Sequence, residues 1–266
     1  MKKPRKALVA LPIALAVLFV ANGMASNLIF KQIAFSMYDN VEKVPETDES
    51  IVQLKIGQLV GYARSTDFSV RKKAIIYFGG AGEIAYNSMI KYLGKFDDFV
   101  FISADYPGTQ DSGGEMTLEE MQLATMQLFD YAKLLEYVDP NEIYVIGYSY
   151  GTGMATYLAS KRDCSGLVLV SPYRDLLDLY DSRVPVYSIL FKDFVTDNID
   201  TKTYAKSVLA DTMIITSEDD ETFSPEIANS LAKNFSNIEV IKYEDINHSG
   251  YLSDDRVIKQ INDFCK

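Results

Sequence analysis

Histidine and cysteine are scarce in this sequence of 266 residues. It contains one histidine, His248, and two cysteines, Cys164 and Cys265. A single histidine excludes a metal site built from several imidazoles, and neither cysteine lies in a C-x-x-C pair or in zinc-type spacing. We therefore predict no metal site, and we interpret the two cysteines as unrelated thiols that would pair only if the domain is exported and they lie close together.

Basic residues are also in the minority, 26 against 37 acidic ones, which gives a net charge of −11. Four of the basic residues lie within the first six positions, so the rest of the chain is more acidic still. A phosphate backbone repels a surface of that charge. Nucleic acid is therefore excluded as an expected partner.

The first thirty residues contain no acid at all. A basic start, MKKPRK, precedes the apolar run ALVALPIALAVLFVANGMASNLIF, which is the layout of an export signal. As a helix, this run of 24 residues would cross a bilayer core of about 30 Å. We expect residues 1–30 to be a signal anchor that places the following domain outside the cytoplasm. The alternative is a signal peptide cleaved near Ala25, which would release the domain.

Short runs rich in β-branched and aromatic residues recur in the rest of the chain. Most are apolar throughout, which is typical of strands covered on both faces of a parallel sheet. Helical patterns separate them, and the clearest covers 118–138 behind a capping box of Thr117 and Glu120. Further helices are predicted after Ser224 and from about Asp254. The strand runs are 74–78, 99–103, 142–147, 166–171, 212–216 and 238–243.

This alternation predicts an α/β fold with a doubly wound, mostly parallel sheet. We assign the folded domain to residues 51–266 and interpret the acidic segment 31–50 as a lead-in. Residues 172–205 interrupt the rhythm, and an insertion of that length predicts a small lid over the carboxyl edge of the sheet.

The stretch VIGYSYGTG carries the strongest local signal. Ser149 lies between Gly147 and Gly151, directly after one predicted strand and directly before a predicted helix. A sharp strand-to-helix turn of this kind exposes a serine as a nucleophile and directs the amide of Tyr150 and the helix N-terminus towards the same space. The alternative interpretation is a serine that merely caps the helix.

A serine nucleophile needs a base, and a base of this kind needs an acid that fixes its tautomer. His248 is the only imidazole available, and it follows the last predicted strand. Asp219 and Asp220 both follow the strand before it, and Asp175 and Asp178 are reserve candidates. Either aspartate of the first pair would give the chain order Ser, Asp, His.

The glycines of FGGAGE, residues 78–83, follow the first predicted parallel strand. Backbone amides in such a loop can converge on a developing negative charge. A dinucleotide site is the alternative, because one register of the loop fits G-x-G-x-x-A and Asp105 weakly supplies the expected acid. That alternative leaves Ser149 and His248 without a role.

Over nearly all of residues 50–266 the sequence resembles the α/β-hydrolase superfamily, and most of all its membrane-anchored branch related to Bem46 proteins. The segments that carry the resemblance are IIYFGGAGE, ISADYPGTQDSGG, IYVIGYSYGTG, SPYRDLLD, IITSEDDETFSP and INHSG.

The resemblance selects Asp220, because the family's aspartate comes three residues after a small residue that Ser217 matches here. The family's first loop commonly reads His-Gly-Asn, whereas this chain has Gly79-Gly80-Ala81. The backbone amide of Ala81, or of Gly80, together with that of Tyr150, is therefore the implied oxyanion hole. The resemblance also implies hydrolysis without a metal or an organic cofactor.

The expected function is that of a serine hydrolase, which cleaves a carboxylic ester, thioester or amide through an acyl-enzyme on Ser149. Apolar residues of the lid suggest a small-molecule or lipid-like acyl substrate, although a core role explains them equally well. The alternatives are a catalytically silent, membrane-tethered binding protein of the same fold and a serine peptidase. The lid residues are Tyr173, Leu176, Leu177, Tyr180, Tyr187, Leu190 and Phe191.

Overall fold

A computed structural model describes residues 5–38 and 41–266. Its strands form one sheet in the order β1-β2-β4-β3-β5-β6-β7-β8. The second strand is antiparallel to the first and fourth, and all other pairs are parallel, which confirms the predicted doubly wound, mostly parallel sheet. The strands are β1 (Ile51–Ile56), β2 (Leu59–Arg64), β3 (Lys72–Phe78), β4 (Val100–Ala104), β5 (Val138–Tyr148), β6 (Gly166–Val170), β7 (Thr212–Ser217) and β8 (Ile238–Tyr243).

Helices cover both faces of this sheet. In β3, Ala74 and Ile76 belong to the core on one face and Ile75 and Tyr77 to the core on the other. Successive side chains of a strand point to opposite faces, so a strand covered twice is apolar at every position. The helices are α1 (Arg5–Phe35), α2 (Ala85–Lys91), α3 (Leu118–Ala132), α4 (Thr152–Ala159), α5 (Leu177–Arg183), α6 (Pro185–Phe191), α7 (Thr201–Ala205), α8 (Pro225–Ala232) and α9 (Asp255–Phe264).

Two of the differences from the predicted elements concern the β1–β2 hairpin and the end of α3. The β1–β2 hairpin was not predicted, because β1 has exposed polar residues at Gln53 and Lys55, and the mostly buried β2 contains Gly61 and ends at Arg64. Neither strand therefore has the continuous apolar pattern of the parallel strands. Helix α3 ends at Ala132 rather than at residue 138, since Val138 already pairs with Lys72 at the start of β5. Its N-terminus agrees with the sequence, because the Thr117 side chain accepts a hydrogen bond from the Glu120 amide.

Helix α1 has two parts of different character. Residues 12–35 contain an 18-residue window with a mean hydropathy of 2.0 and are long and apolar enough to cross a membrane. From Ile13 to Leu28 the large apolar side chains are exposed, whereas Phe30 and Ala34 are fully buried in the core. The helix therefore continues past residue 30, the predicted boundary, into the folded domain. The basic residues Lys2 and Lys3 lie outside the described part of the chain.

Residues 172–205 contain α5, α6 and α7, and the first two of these helices lie beside α1. The Ser26 hydroxyl of α1 is 2.7 Å from the Tyr180 hydroxyl of α5. The Phe30 ring meets the Tyr180 ring edge-on at 5.6 Å between centroids. The insertion and the end of α1 thus pack as one unit on the sheet.

The nucleotide interpretation required Asp105 as its acid. Asp105 follows β4, but its carboxylate is buried and accepts a hydrogen bond of 2.7 Å from the Ala85 amide at the start of α2. Burial raises the pKa of Asp105 to about 6. When the pKa of a carboxyl is raised in the folded state, the free energy of unfolding of the protein falls as the pH rises from the unfolded-state pKa to the folded-state pKa. Relative to wild type, Asp105→Asn is therefore expected to gain about 2–3 kcal/mol in free energy of unfolding between pH 4 and pH 7.

Guanidinium unfolding of the full chain in detergent, at several pH values, measures this difference. Asp67→Asn is the control of opposite sign, because hydrogen bonds from the Ser69 side chain and amide lower the pKa of Asp67. Its free energy of unfolding relative to wild type should fall as the pH rises. Equal pH dependence of wild type and Asp105→Asn would contradict the prediction.

Candidate active site

The turn after β5 holds Ser149 in a conformation that its neighbours enforce. Ser149 has a φ angle of +50°, which is strained for a side chain other than glycine. A Cβ atom on Gly147 would lie 2.7 Å from the Ala155 Cβ, and one on Gly151 would overlap the Phe78 carbonyl oxygen. Only glycine at both positions lets the chain leave β5, reverse beside β3 and enter α4.

The structure brings Ser149, His248 and Asp220 together at the carboxyl edge of the sheet. The Ser149 Oγ lies 2.9 Å from the His248 Nε2, and the His248 Nδ1 lies 3.0 Å from the Asp220 Oδ1. A carboxylate can only accept, so Nδ1 carries the proton and Nε2 presents its lone pair to the serine hydroxyl. We call these three residues the Ser–His–Asp group.

Both carboxylate oxygens of Asp220 accept several hydrogen bonds. Its Oδ1 accepts from the amides of Thr222 and Phe223 at 2.9 and 3.0 Å, and its Oδ2 accepts from the hydroxyls of Ser171 and Tyr251. Burial disfavours the ionised carboxylate, but hydrogen bonds from His248, Ser171 and the Phe223 amide outweigh it. The balance holds the pKa of Asp220 below its ordinary value, so the carboxylate stays charged beside the imidazole.

The other acids considered from the sequence lie elsewhere. Asp219 is exposed, although it is the neighbour of the buried Asp220. Asp175 pairs with Lys202, and Asp178 pairs with Arg174. Neither reserve candidate is in hydrogen-bond contact with His248 among the described residues.

His248 is positioned by two aromatic rings and two hydrogen bonds. The Tyr148 ring stacks on it at 5.7 Å between centroids, and the Phe223 ring meets it edge-on at 5.8 Å. The Tyr148 hydroxyl donates to the His248 carbonyl oxygen at 2.6 Å, and the His248 amide donates to the Glu221 carboxylate at 3.0 Å. These contacts fix both the backbone and the plane of the imidazole.

Sequence reasoning missed Ser171. This fully buried residue follows β6, has a φ angle of +51° and places its hydroxyl 3.1 Å from the His248 Nδ1 as well as on Asp220. The signal was a small polar residue at the carboxyl end of a strand that adjoins β7. The role of Ser171 could be inferred only once β6 and β7 were known to be neighbours in the sheet.

The glycine-rich loop after β3 lies against the Ser–His–Asp group. Gly80, Ala81 and Tyr150 line the same cavity as Ser149, and the amides of Ala81 and Tyr150 stay the predicted oxyanion donors. The Tyr38 hydroxyl donates to the Gly80 carbonyl oxygen at 3.0 Å. The loop is thus attached to the segment that follows α1.

Glu83 is a second residue that sequence reasoning missed. Its carboxylate accepts from the Gly80 amide at 3.1 Å and the Tyr77 hydroxyl at 2.6 Å, and it forms an ion pair of 2.6 Å with Lys91. Burial would raise the pKa of Glu83, but the charge of Lys91 and these hydrogen bonds hold it below the ordinary value. The charged Glu83 therefore fixes the Gly80–Ala81 backbone.

Glu83→Gln is expected to lower kcat for ester hydrolysis by about 10–100-fold with little change in KM. The neutral side chain weakens the bonds that hold the loop, and loss of one oxyanion donor costs about 10²–10³-fold in kcat. Steady-state kinetics on a short acyl ester measures the effect, and Glu119→Gln, an exposed change on α3, should leave kcat unaltered. A rise in KM at constant kcat would contradict this positioning role.

A cavity of about 580 Å³ opens above Ser149. This volume is in the range of small-molecule sites. Tyr173 and Leu176 of the predicted lid line it, whereas Leu190 is exposed and the side chain of Tyr187 lies outside the described residues. The apolar part of the lining consists of Ile33, Met37, Ala81, Tyr148, Tyr150, Tyr173, Leu176, Leu179 and Phe223.

Neither cysteine belongs to this site. Both thiols are free, and burial raises the pKa of Cys164 and of Cys265 to about 12, so each is protonated and unreactive at neutral pH. Within residues 5–38 and 41–266, no cluster of three or more His, Cys, Asp or Glu side chains is arranged to hold a metal ion.

Comparison with known proteins agrees with this architecture. The family model for the alpha/beta hydrolase fold matches residues 73–195, which contain β3 to β6 and the turn at Ser149. The chain has the α/β-hydrolase fold, which confirms the predicted fold class. No curated protein matches the chain in sequence.

Solved esterase structures share the fold at low sequence identity. The esterase Pf2001 of Pyrococcus furiosus has a TM-score of 0.63 and 18% identity, over 85% of this chain and 96% of that one. Esterase 2 of Thermogutta terrifontis, a Planctomycetes species, has a TM-score of 0.61 and 14% identity in its propionate-bound form, over 84% and 96% of the two chains. The same esterase phosphorylated by paraoxon has a TM-score of 0.60 and 15% identity, again over 84% and 96%.

Proposed function

We propose that this protein is a serine hydrolase that cleaves acyl esters through an acyl-enzyme on Ser149. The observation that carries the proposal is the continuous hydrogen-bonded series from the Ser149 Oγ through His248 to a buried, charged Asp220. A serine hydroxyl becomes a competent nucleophile when a correctly oriented imidazole accepts its proton.

The proposed reaction uses the geometry in two stages. His248 removes the Ser149 proton as Oγ attacks the acyl carbonyl carbon, and the amides of Ala81 and Tyr150 stabilise the oxyanion. The imidazolium then protonates the leaving alcohol, which leaves an ester on Ser149. His248 next activates a water molecule that hydrolyses this ester and restores the free serine.

The cavity and the solved relatives favour a carboxylic ester over an amide. A mostly apolar lining beside Ser149 suits an acyl chain. The similar structures are esterases, one with propionate bound and one phosphorylated by paraoxon. An organophosphate of that kind reacts with an activated nucleophile, so the same chemistry is proposed for Ser149.

We further propose that the protein is membrane-anchored, with its domain outside the cytoplasm, as in the branch related to Bem46 proteins. Helix α1 has the length and hydropathy for one span, and its last turns pack in the core beside Tyr180. Cleavage near Ala25 would leave Phe30 and Ala34 in place, so release of the domain is the alternative outcome. Protease protection of the tagged full chain in sealed vesicles separates the two.

A fluorophosphonate probe tests the catalytic proposal. Wild type should be labelled covalently, Ser149→Ala should not be, and prior treatment with paraoxon should block labelling. Equal absence of labelling in wild type and Ser149→Ala would support the catalytically silent, membrane-tethered binding protein. Faster cleavage of aminoacyl anilides than of short acyl esters would support the serine peptidase.

A further inference from the structure

Helix α6 and the turn after it run along the apolar part of α1. The Phe191 ring lies 5.3 Å from the Phe19 ring, and the Phe194 ring lies 5.7 Å from the same Phe19 ring. The Phe194 ring also covers Gly23 so closely that a Cβ there would overlap it. The insertion therefore touches the helix at Phe19 and Gly23, inside the segment with the hydropathy of a span.

Polar contacts farther along α1 mark the end of that apolar segment. The Thr196 amide donates to the Asn27 side chain at 2.9 Å, and Lys31 forms an ion pair of 2.6 Å with Asp197. Asn27 and Lys31 thus attach the helix to the domain by polar contacts just beyond Ser26, whose hydroxyl lies 2.7 Å from the Tyr180 hydroxyl. We call Asn27, Lys31, Thr196 and Asp197 the polar collar.

The distance of each contact from the polar collar along α1 follows from the rise per residue of the helix. Gly23 and Phe19 lie four and eight residues before Asn27, or about 6 and 12 Å along the axis. A span of about 20 residues from Ala7 ends at Ser26, next to the collar. If α1 spans the bilayer, Phe191 and Phe194 lie below the membrane boundary, because they contact α1 on its membrane side.

The exposed face of α6 fits that environment. Val186, Ile189 and Leu190 are 67%, 75% and 57% exposed, and their spacing of three and four places them on one helix face. The charged residues Lys192 and Asp193 follow directly as the chain returns towards the collar. An apolar helix face next to a charged turn is the pattern of a helix seated about 5–10 Å into the boundary between headgroups and acyl chains.

The cavity above Ser149 begins close to the polar collar, measured along α1. Ile33 lines the cavity and lies two residues beyond Lys31, which is about 3 Å of helix rise. Leu179 and Arg183 of α5, the helix that precedes α6, line it as well. Residues of α1 and α5 thus contribute to the cavity lining, and if α1 spans the bilayer, the preceding part of α1 lies in the apolar layer.

We infer that α6 is seated in the membrane leaflet that faces the domain, and that the cavity takes its acyl substrate directly from that leaflet. This inference rests on the proposed function and adds a substrate class, an acyl ester of a membrane lipid. The acyl chain would reach Ser149 along the cavity lining that Ile33 and Leu179 contribute, without crossing water, which saves the cost of exposing it.

The first experiment measures the depth of α6. The full chain carrying Cys164→Ser and Ile189→Cys is labelled with a nitroxide and reconstituted in vesicles of equal parts phosphatidylcholine and phosphatidylglycerol. We expect the label to relax more with oxygen than with a water-soluble nickel chelate. Leu134→Cys, at an 80% exposed position near the start of β5, is the control and should respond to nickel. A nickel-accessible label at residue 189 overturns the inference.

The second experiment separates substrate access from catalysis. In the same vesicles, doped with a fluorogenic long-chain acylglycerol, Ile189→Asp combined with Leu190→Asp should lower lipid hydrolysis by about tenfold or more, because charges are expelled from the apolar layer. Hydrolysis of a water-soluble short ester should not change, and Leu134→Asp should alter neither rate. Equal loss on both substrates, or a wild type that cleaves only the soluble ester, overturns the inference and leaves the proposed function intact. A wild type inactive on both substrates contradicts the proposed function, and the nitroxide depth then still decides the seating of α6.

Discussion

Replacing Ser149 with alanine is expected to lower kcat/KM for a short acyl ester by about 10⁵-fold or more. The methyl group cannot attack the carbonyl carbon, so only the oxyanion donors and substrate binding contribute to the remaining rate. Steady-state kinetics with the purified full chain in detergent measures the loss. Ser207→Ala, a change at an exposed serine outside the cavity, is the matched control and should retain the wild-type rate.

The double variant Ser149→Ala/His248→Ala sharpens this expectation. Residues that act as one unit are not additive, so the double variant should be no slower than Ser149→Ala alone. A Ser149→Ala enzyme within tenfold of wild type would remove Ser149 from the mechanism. A double variant slower than either single one by a further large factor would show that His248 acts independently.

Asp220→Asn is expected to lower kcat by about 10⁴-fold while the fold persists. An asparagine has one acceptor oxygen where the carboxylate has two, and its amide group would face a donor from His248 or from Ser171 and Tyr251. The imidazole would then favour the tautomer that presents a proton, rather than a lone pair, to Ser149. Kinetics at neutral pH, with circular dichroism to verify folding, tests the effect.

Asp219→Asn is a matched control for this substitution, because it makes the same chemical change at the adjacent, exposed position. Its kcat should equal that of wild type. Comparable losses from Asp219→Asn and Asp220→Asn would mean that local charge, rather than orientation of His248, governs the rate.

The sequence predicted those parts of the site that depend on local geometry. The glycines on either side of Ser149 predict a tight turn. In the structure, Ala155 and Phe78 lie too close for a side chain at either glycine. Most of the runs in β3 to β7 were recognised because burial on both faces demands apolar residues at successive positions, whereas β8, at the edge of the sheet, was recognised by its β-branched and aromatic residues. The order of strands then brings the ends of β5, β6, β7 and β8 to one edge.

The parts that were missed depend on contacts between segments far apart in the chain. Ser171 acquires its contact with Asp220 only because β6 and β7 are neighbours in the sheet. Glu83 reads as an ordinary loop acid until the hydrogen bonds from Tyr77 and Gly80 are known. The hydropathy of α1 predicted a span but carried no sign that Phe30 and Ala34 would enter the core.

That last feature constrains how such a protein can change over generations. A tether joined by a loose linker can be exchanged without effect on the globular part, whereas here the same helix supplies Phe30 to the core and Ile33 to the cavity. If the helix anchors the protein as proposed, a substitution that adapts it to a thicker or thinner bilayer would also shift part of the cavity lining. Membrane location and substrate selectivity would then change together.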